Sequence, residues 1–87
     1  MHEASLMSDL MRKIITLADT QQARHVTGVS LTLGALSHLS PDHLREHFIE
    51  AARGTVAEGA RLDIEARTDI TEPTAQDIRL DSIEVEA

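Results

Sequence analysis

Apolar residues recur at spacings of three and four along two stretches of the chain, which is the period of a helix with one buried face. The first stretch predicts a helix at about residues 5–22, with Ser5 as its N-cap. The second follows Ser40-Pro41-Asp42, a typical helix start, and Gly54 suits the position just past a helix end, so we predict a helix at about 41–53. The apolar positions are Met7, Leu10, Met11, Ile14, Leu17 and Ala18 in the first stretch, and Leu44, Phe48, Ala51 and Ala52 in the second.

Three further stretches alternate between apolar and polar residues, which is the period of a half-buried strand. Val29, Leu31 and Leu33 define the first of these strands, and residues 61–67 alternate strictly. The last strand contains Ile78, Leu80, Ile83 and Val85. The alternation changes parity near Gly28, which predicts a β-bulge or a twist, and at Asp81-Ser82, which predicts another bulge.

The element order is therefore helix, strand, helix, strand, strand. It predicts a single α+β domain over residues 1–87, with two helices packed on one face of a small, mostly antiparallel three-stranded sheet. The outward-facing acids of the strands predict a polar far face. Phe48 is the only aromatic residue among 87, so the core must be built from aliphatic side chains, methionine and alanine.

Charge and composition exclude several classes of function. The formal net charge is −7, and residues 58–87 hold nine acids against three bases. This acidic third disfavours binding to nucleic acid or to an anionic membrane and suits a basic protein surface or a cation. There is no cysteine, which excludes disulfides and thiolate sites, and no signal peptide or membrane-spanning run is visible, so we expect a cytoplasmic protein.

The residues Met1-His2-Glu3 are a candidate metal site. The free amine of Met1, the His2 ring and the neighbouring amide nitrogens form a nitrogen-rich set that suits square-planar Ni(II) or Cu(II). The Glu3 carboxylate offers an additional oxygen or orients the ring. Such a site requires that Met1 is retained with a free amine. By itself the pattern is weak, because chain termini are usually mobile and serve no binding function.

Other histidines carry weaker signals. His43 and His47 are four residues apart on the second predicted helix, a spacing that places two metal ligands on one face but is more common among ordinary surface histidines. His25 and His38 lie in connecting segments, and Asp42 is an oxygen donor whose place at a helix start is sufficient to explain it. No nucleophile elbow or glycine-rich phosphate loop is present, so we expect no enzymatic activity.

Four segments of the chain resemble the HypA/HybF family of hydrogenase nickel-incorporation proteins. They are Met1-His2-Glu3-Ala4-Ser5-Leu6, residues 29–37 (VSLTLGALS), residues 58–65 (EGARLDIE) and residues 79–86 (RLDSIEVE), which follow in order along nearly the whole chain. The resemblance implies a metallochaperone that delivers Ni(II) for maturation of nickel-iron hydrogenase. It also implies that Met1, His2 and Glu3 are the nickel ligands. The implied partners are a nickel-handling maturation GTPase and the hydrogenase large-subunit precursor, with a weak homodimer as a further possibility.

The chain departs from this family at one place. Members hold a zinc domain with two Cys-x-x-Cys pairs between the last two strands, whereas here that interval lacks cysteine. We therefore expect no zinc, and we expect a short hairpin near residues 68–76 in place of the zinc domain. Two alternatives to a nickel carrier remain open. One is a metal-independent adaptor for a maturation GTPase or hydrogenase subunit, and the other is a small self-associating domain.

Overall fold

A computed structural model describes residues 3–37 and 39–86, and the side chains from Leu6 onward within them. All five predicted elements are present, with ends within a few residues of the prediction. Their bounds are α1 (Glu3–Thr20), β1 (His25–Leu33), α2 (Pro41–Ala52), β2 (Arg61–Ala66) and β3 (Ile78–Glu86).

Helix α1 begins two residues before the predicted start at Ser5 and ends two residues before the predicted end. Its end is a Schellman turn, in which the Ala23 N–H donates to the Ala18 carbonyl and the Gln22 N–H to the Asp19 carbonyl, both at 3.0 Å. Gln22 occupies the left-handed position of this turn with φ 54°, a conformation that usually selects glycine. The backbone reversal at Gln22 is what stops the helix.

Helix α2 confirms the predicted start and stop signals. The Ser40 hydroxyl accepts a hydrogen bond from the His43 N–H at 3.1 Å, and Pro41 follows in the first helical position. Gly54 lies just past the helix end with φ 77°, the left-handed conformation expected there.

The sheet has the order β2-β1-β3, so β1 is the central strand. Strand β1 pairs with β2 in parallel and with β3 in antiparallel orientation. The predicted fold class is confirmed, with the correction that the sheet is mixed, since one of its two pairings is parallel. The parallel pairing has a simple cause: α2 connects β1 to β2 and carries the chain back to the end where β1 began.

The prediction that the last two strands pair as a hairpin near residues 68–76 is wrong. Strands β2 and β3 lie on opposite sides of β1 and do not pair with each other. The segment 67–77 instead crosses the end of β1 to reach the other edge of the sheet.

Both predicted bulges are confirmed. The β1–β3 register shifts between Val26 and Gly28, and again between Ser30 and Leu31, where the extra residue of β3 is Asp81 and has no opposite residue in the β1 register. At the first bulge, a Cβ on Gly28 would lie 2.7 Å from the Arg61 Nη2. A larger residue at Gly28 would therefore displace the Arg61 side chain.

The core lies between the sheet and the two helices. Phe48 is 1% exposed and is surrounded by the aliphatic residues that the composition required. The largest fully buried side chains are Phe48, Ile14, Leu31, Leu44, Val26 and Val29. Within the described part of the chain, no helix has the length and hydropathy needed to cross a membrane.

Candidate metal site

Most of the predicted nickel ligands lie outside the described residues. This is the case for Met1 and His2, and Glu3 is the first residue of α1 with its side chain outside the description. The structure instead describes the residues at the end of the molecule where α1 begins.

The two helices begin at the same end of the molecule. Only residues 21–24 separate α1 from β1, so α1 runs antiparallel to β1. Helix α2 connects two parallel strands, so it also runs antiparallel to β1. Both helix starts consequently lie beside the last residues of β1, and we call this the helix-start end.

Contacts between the helices agree with this parallel arrangement. Met7 near the start of α1 and His47 of α2 line one shallow groove between the helices. Met11 lies further along α1, and its sulfur is 4.0 Å from the hydroxyl of Thr55, which follows the end of α2 at Ala52. The contact partners therefore advance in the same direction on both sides, as parallel helices require.

The segment 67–77 also closes over the helix-start end. The Gly34 N–H donates to the Asp77 carbonyl at 2.9 Å, and the Leu36 N–H donates to the Ala75 carbonyl at 2.6 Å. A Cβ on Gly34 would lie 2.3 Å from the Ala75 carbonyl oxygen, so only glycine permits this approach. The interval that holds the zinc domain in the resembling family is thus packed against the end where α1 begins.

An open groove of about 780 Å³ lies at this end, between α1 and the start of β3. Its charged lining includes Asp9 and Lys13 from α1, and Asp77 and Arg79 from the β3 side. The lining holds two acids and two bases, so the groove does not favour a ligand of one charge.

The histidines are placed differently from one another. His43 and His47 share a face of α2, and their ring centroids are 5.1 Å apart. His25 opens β1 and therefore lies at the end opposite the helix starts. His38 lies outside the described residues. The prediction that His43 and His47 share one face of α2 is confirmed. His43 is near the start of α2, so it lies at the helix-start end.

The acidic face of the sheet is partly neutralised by its own arginines. Arg61 donates hydrogen bonds to Glu84 at 2.7 Å and to Asp63 at 2.9 Å. Both bonds raise the pKa of the Arg61 guanidinium, and the bond to Glu84 has the larger effect. Arg67 pairs likewise with Glu72 at 3.0 Å and Glu65 at 3.6 Å. The far face is polar as predicted, but it is a mixed network of charges.

Among the side chains of residues 6–37 and 39–86, no group of three or more His, Asp or Glu residues converges on one point. Asp42 lies in the first turn of α2 and so belongs to the helix-start end. The predicted metal site therefore depends on Met1 and His2, which directly precede the first residue of α1 in the sequence. We did not predict from the sequence that the two helices start at the same end of the molecule. The short connection between α1 and β1 indicates the direction of α1 and could have revealed it.

Comparison with known proteins identifies similar chains. The model of the HypA family, described as hydrogenase/urease nickel incorporation, metallochaperone, matches residues 1–84. The hydrogenase maturation factor HypA of Archaeoglobus fulgidus is 39% identical over 71 residues, which cover 80% of this chain and 64% of that protein. The factor of the same name from Methylocella silvestris is 43% identical over 65 residues, covering 75% of this chain and 58% of that protein. The chain thus spans about three-fifths of the length of these relatives.

Two solved structures have the same fold. The solution structure of the Ni metallochaperone HypA from Helicobacter pylori superimposes with a TM-score of 0.82 at 21% identity, covering 100% of this chain and 99% of that one. A second solution structure of a HypA protein gives a TM-score of 0.75 at 20% identity, covering 97% and 95% of the two chains. These similarities establish the arrangement of helices and strands.

Proposed function

Because the chain belongs to the HypA family of hydrogenase and urease nickel-incorporation proteins, we propose that it is a metallochaperone that carries Ni(II) to a hydrogenase under assembly. Its role is binding and release of the ion rather than catalysis. The proposed ligands are the Met1 amine, the His2 ring, the neighbouring amide nitrogens and the Glu3 carboxylate. Such a nitrogen-rich set favours square-planar Ni(II).

The observation that carries this proposal is the convergence of the two helix starts. Glu3 opens α1, and the same end of the molecule holds the start of α2 with Asp42 in its first turn. Met1 and His2 immediately precede Glu3 in the sequence, and this supports a site formed by the tripeptide at this end. Asp42 supplies a carboxylate there that can accept a hydrogen bond from a ligand or donate an oxygen to the ion.

Helix electrostatics support amide ligation at this place. The N-terminal ends of both helices carry partial positive charge, which disfavours a bare cation but favours loss of a proton from an amide or amine. A nickel ion bound through deprotonated amides has its charge offset by those ligands. The helix starts therefore favour the nitrogen-bound form over simple carboxylate binding.

Calorimetric titration of the untagged protein with Ni(II) tests the ligand assignment. Loss of an outer-shell partner of a metal ligand typically costs about 10- to 100-fold in affinity. His2→Ala removes a direct ligand, so we expect a loss at least as large. His25→Gln is the control, because His25 lies at the opposite end of the molecule and is partly exposed.

The two variants separate site binding from general histidine binding. The proposal requires that His25→Gln retains the affinity of the unmodified chain while His2→Ala does not. If His2→Ala binds Ni(II) as tightly as the unmodified protein, the ligand assignment is wrong.

The partners we propose are a nickel-handling GTPase and the precursor of the hydrogenase large subunit, within the cytoplasm. We also propose that the chain works without zinc, because the segment 67–77 contains no cysteine and already packs against Gly34 and Leu36. The charge pairing of Arg61 and Arg67 leaves less support for an adaptor that acts only through an acidic sheet face.

A further inference from the structure

We propose that His43 and His47 form a second binding site for a divalent transition-metal ion on the surface of α2. Neither residue belongs to the ligand set of the proposed function, and the site lies on one helix. It therefore goes beyond the proposed function and can fail or succeed separately. Imidazole nitrogens suit Ni(II), Cu(II) and Zn(II), so the ligand class is a borderline divalent ion.

The separation of the two rings carries the proposal. A metal–nitrogen bond of about 2.1 Å places the centre of an imidazole about 3.2 Å from the ion, so two rings on one ion have centres about 4.5 Å apart at a right angle and about 5.2 Å apart at the tetrahedral angle. The observed separation of 5.1 Å falls within this range. The ring centres are therefore at a separation compatible with both rings binding one ion.

The helix holds the two ligands in place. Residues four apart lie one turn from each other on the same face, which is the arrangement of the paired histidines in helical metal sites. Helix α2 is fixed to the core by Leu44 and Phe48, which are 0% and 1% exposed. The backbone that carries both rings is therefore anchored before a metal binds.

Solvent access is also suitable for an exchangeable ion. His43 is exposed and His47 is half-buried against the groove beside Met7. Among the described side chains from Leu6 onward, no third His, Asp or Glu converges on the pair, so the pair is treated as a two-histidine chelate. Such a site binds more weakly than a closed structural site and releases its ion readily.

Zinc titration of the His2→Ala protein tests this site, because that background removes the proposed N-terminal ligand and zinc leaves NMR signals narrow. We expect the imidazole signals of His43 and His47 to shift together and to saturate at one equivalent, while those of His25 stay in place. Independent shifts of the two rings, or shifts that occur only together with those of His25, overturn the proposal.

A pair of variants distinguishes chelation from single-histidine binding. Linking two ligands raises affinity well above that of either alone, so His47→Gln should weaken zinc binding at least about tenfold. The control His47→Gln/Glu50→His keeps the number of histidines but places them seven residues apart, about 10.5 Å along the helix, where they cannot share an ion. Glu50 forms an ion pair with Arg53 at an exposed surface, so its replacement has little effect on folding.

The double variant gives the decisive comparison. We expect it to bind zinc as weakly as His47→Gln alone. If it binds as tightly as the His2→Ala parent, the number of histidines matters and their spacing does not, and the proposed chelate is wrong.

Discussion

Replacement of Gly34 by alanine probes how the segment 67–77 is held at the helix-start end. A Cβ at Gly34 would lie 2.3 Å from the Ala75 carbonyl oxygen and 2.7 Å from that of Thr74. Both neighbours are backbone atoms, so a side-chain rotation cannot relieve the overlap. We expect Gly34→Ala to push residues 74–77 away from the end of β1.

The size of the effect follows from what that movement breaks. Two backbone hydrogen bonds, from Gly34 to Asp77 and from Leu36 to Ala75, join the segment to the end of β1. Each contributes about 0.5–1.5 kcal/mol net, and exposure of the buried Ala75 methyl adds about 0.8 kcal/mol. Alanine also lowers the entropy of the unfolded chain, which returns about 0.4–1 kcal/mol. We therefore expect a loss of about 1–3 kcal/mol.

Urea unfolding measures this loss, and amide hydrogen exchange locates it. The Leu36 amide should exchange faster in Gly34→Ala, because its acceptor on Ala75 moves away. Gly59→Ala is the matched control: Gly59 has φ 78° and a Cβ there would meet no atom within 4 Å, so its cost is about 1 kcal/mol of backbone strain. If Gly34→Ala costs no more than Gly59→Ala, the close packing described for this end is incorrect.

Three further predictions concern local structure. Gln22→Gly should raise the free energy of unfolding by about 0.5–1 kcal/mol in urea titrations, because glycine adopts the left-handed conformation at the end of α1 without strain; a loss of stability contradicts this. Ser40→Ala should cost about 1 kcal/mol by the same measurement through loss of the α2 N-cap, whereas Ser40→Asp should not. Hydrogen bonds from the Thr71 side chain and backbone lower the pKa of Asp69, so its contribution to stability is present above the ordinary carboxyl pKa and is lost as the pH falls through the lowered value. NMR titration should show the Asp69 pKa rising in Thr71→Val, and an unchanged value refutes the assignment.

Local signals in the sequence predicted much of the fold. The start of α2 was predictable because Ser40, Pro41 and Asp42 each satisfy a separate requirement of a helix N-terminus. The bulges were predictable because an extra residue in one strand must reverse the parity of alternation, as it does beside Gly28 and at Asp81.

Strand partners were not predictable from the same signals. The alternation in residues 61–67 indicates a strand but not its neighbour, so the hairpin between β2 and β3 was a guess from proximity in the sequence. The helix between β1 and β2 was the better guide, since a strand–helix–strand unit favours parallel pairing. At α1, Ser5 resembled an N-cap, yet the helix already begins at Glu3.

The candidate site was predictable only in part. The i, i+4 spacing placed His43 and His47 on one face, but only the coordinates give the ring separation of 5.1 Å. The Met1-His2-Glu3 assignment came from a family resemblance, because three residues at a chain start contain no geometric information. Its surroundings at the helix-start end depend on the direction of α1, which is a property of the whole fold.

The central claim is that nickel binds through the free amine of Met1 together with the His2 ring. Acetylation of the Met1 amine removes one proposed ligand and leaves every side chain unchanged, so it tests the claim most directly. We compare the ultraviolet-visible spectra of acetylated and free-amine protein during Ni(II) titration. The account predicts that the square-planar nickel band appears only with the free amine. The same band at the same nickel concentration in the acetylated protein would contradict it.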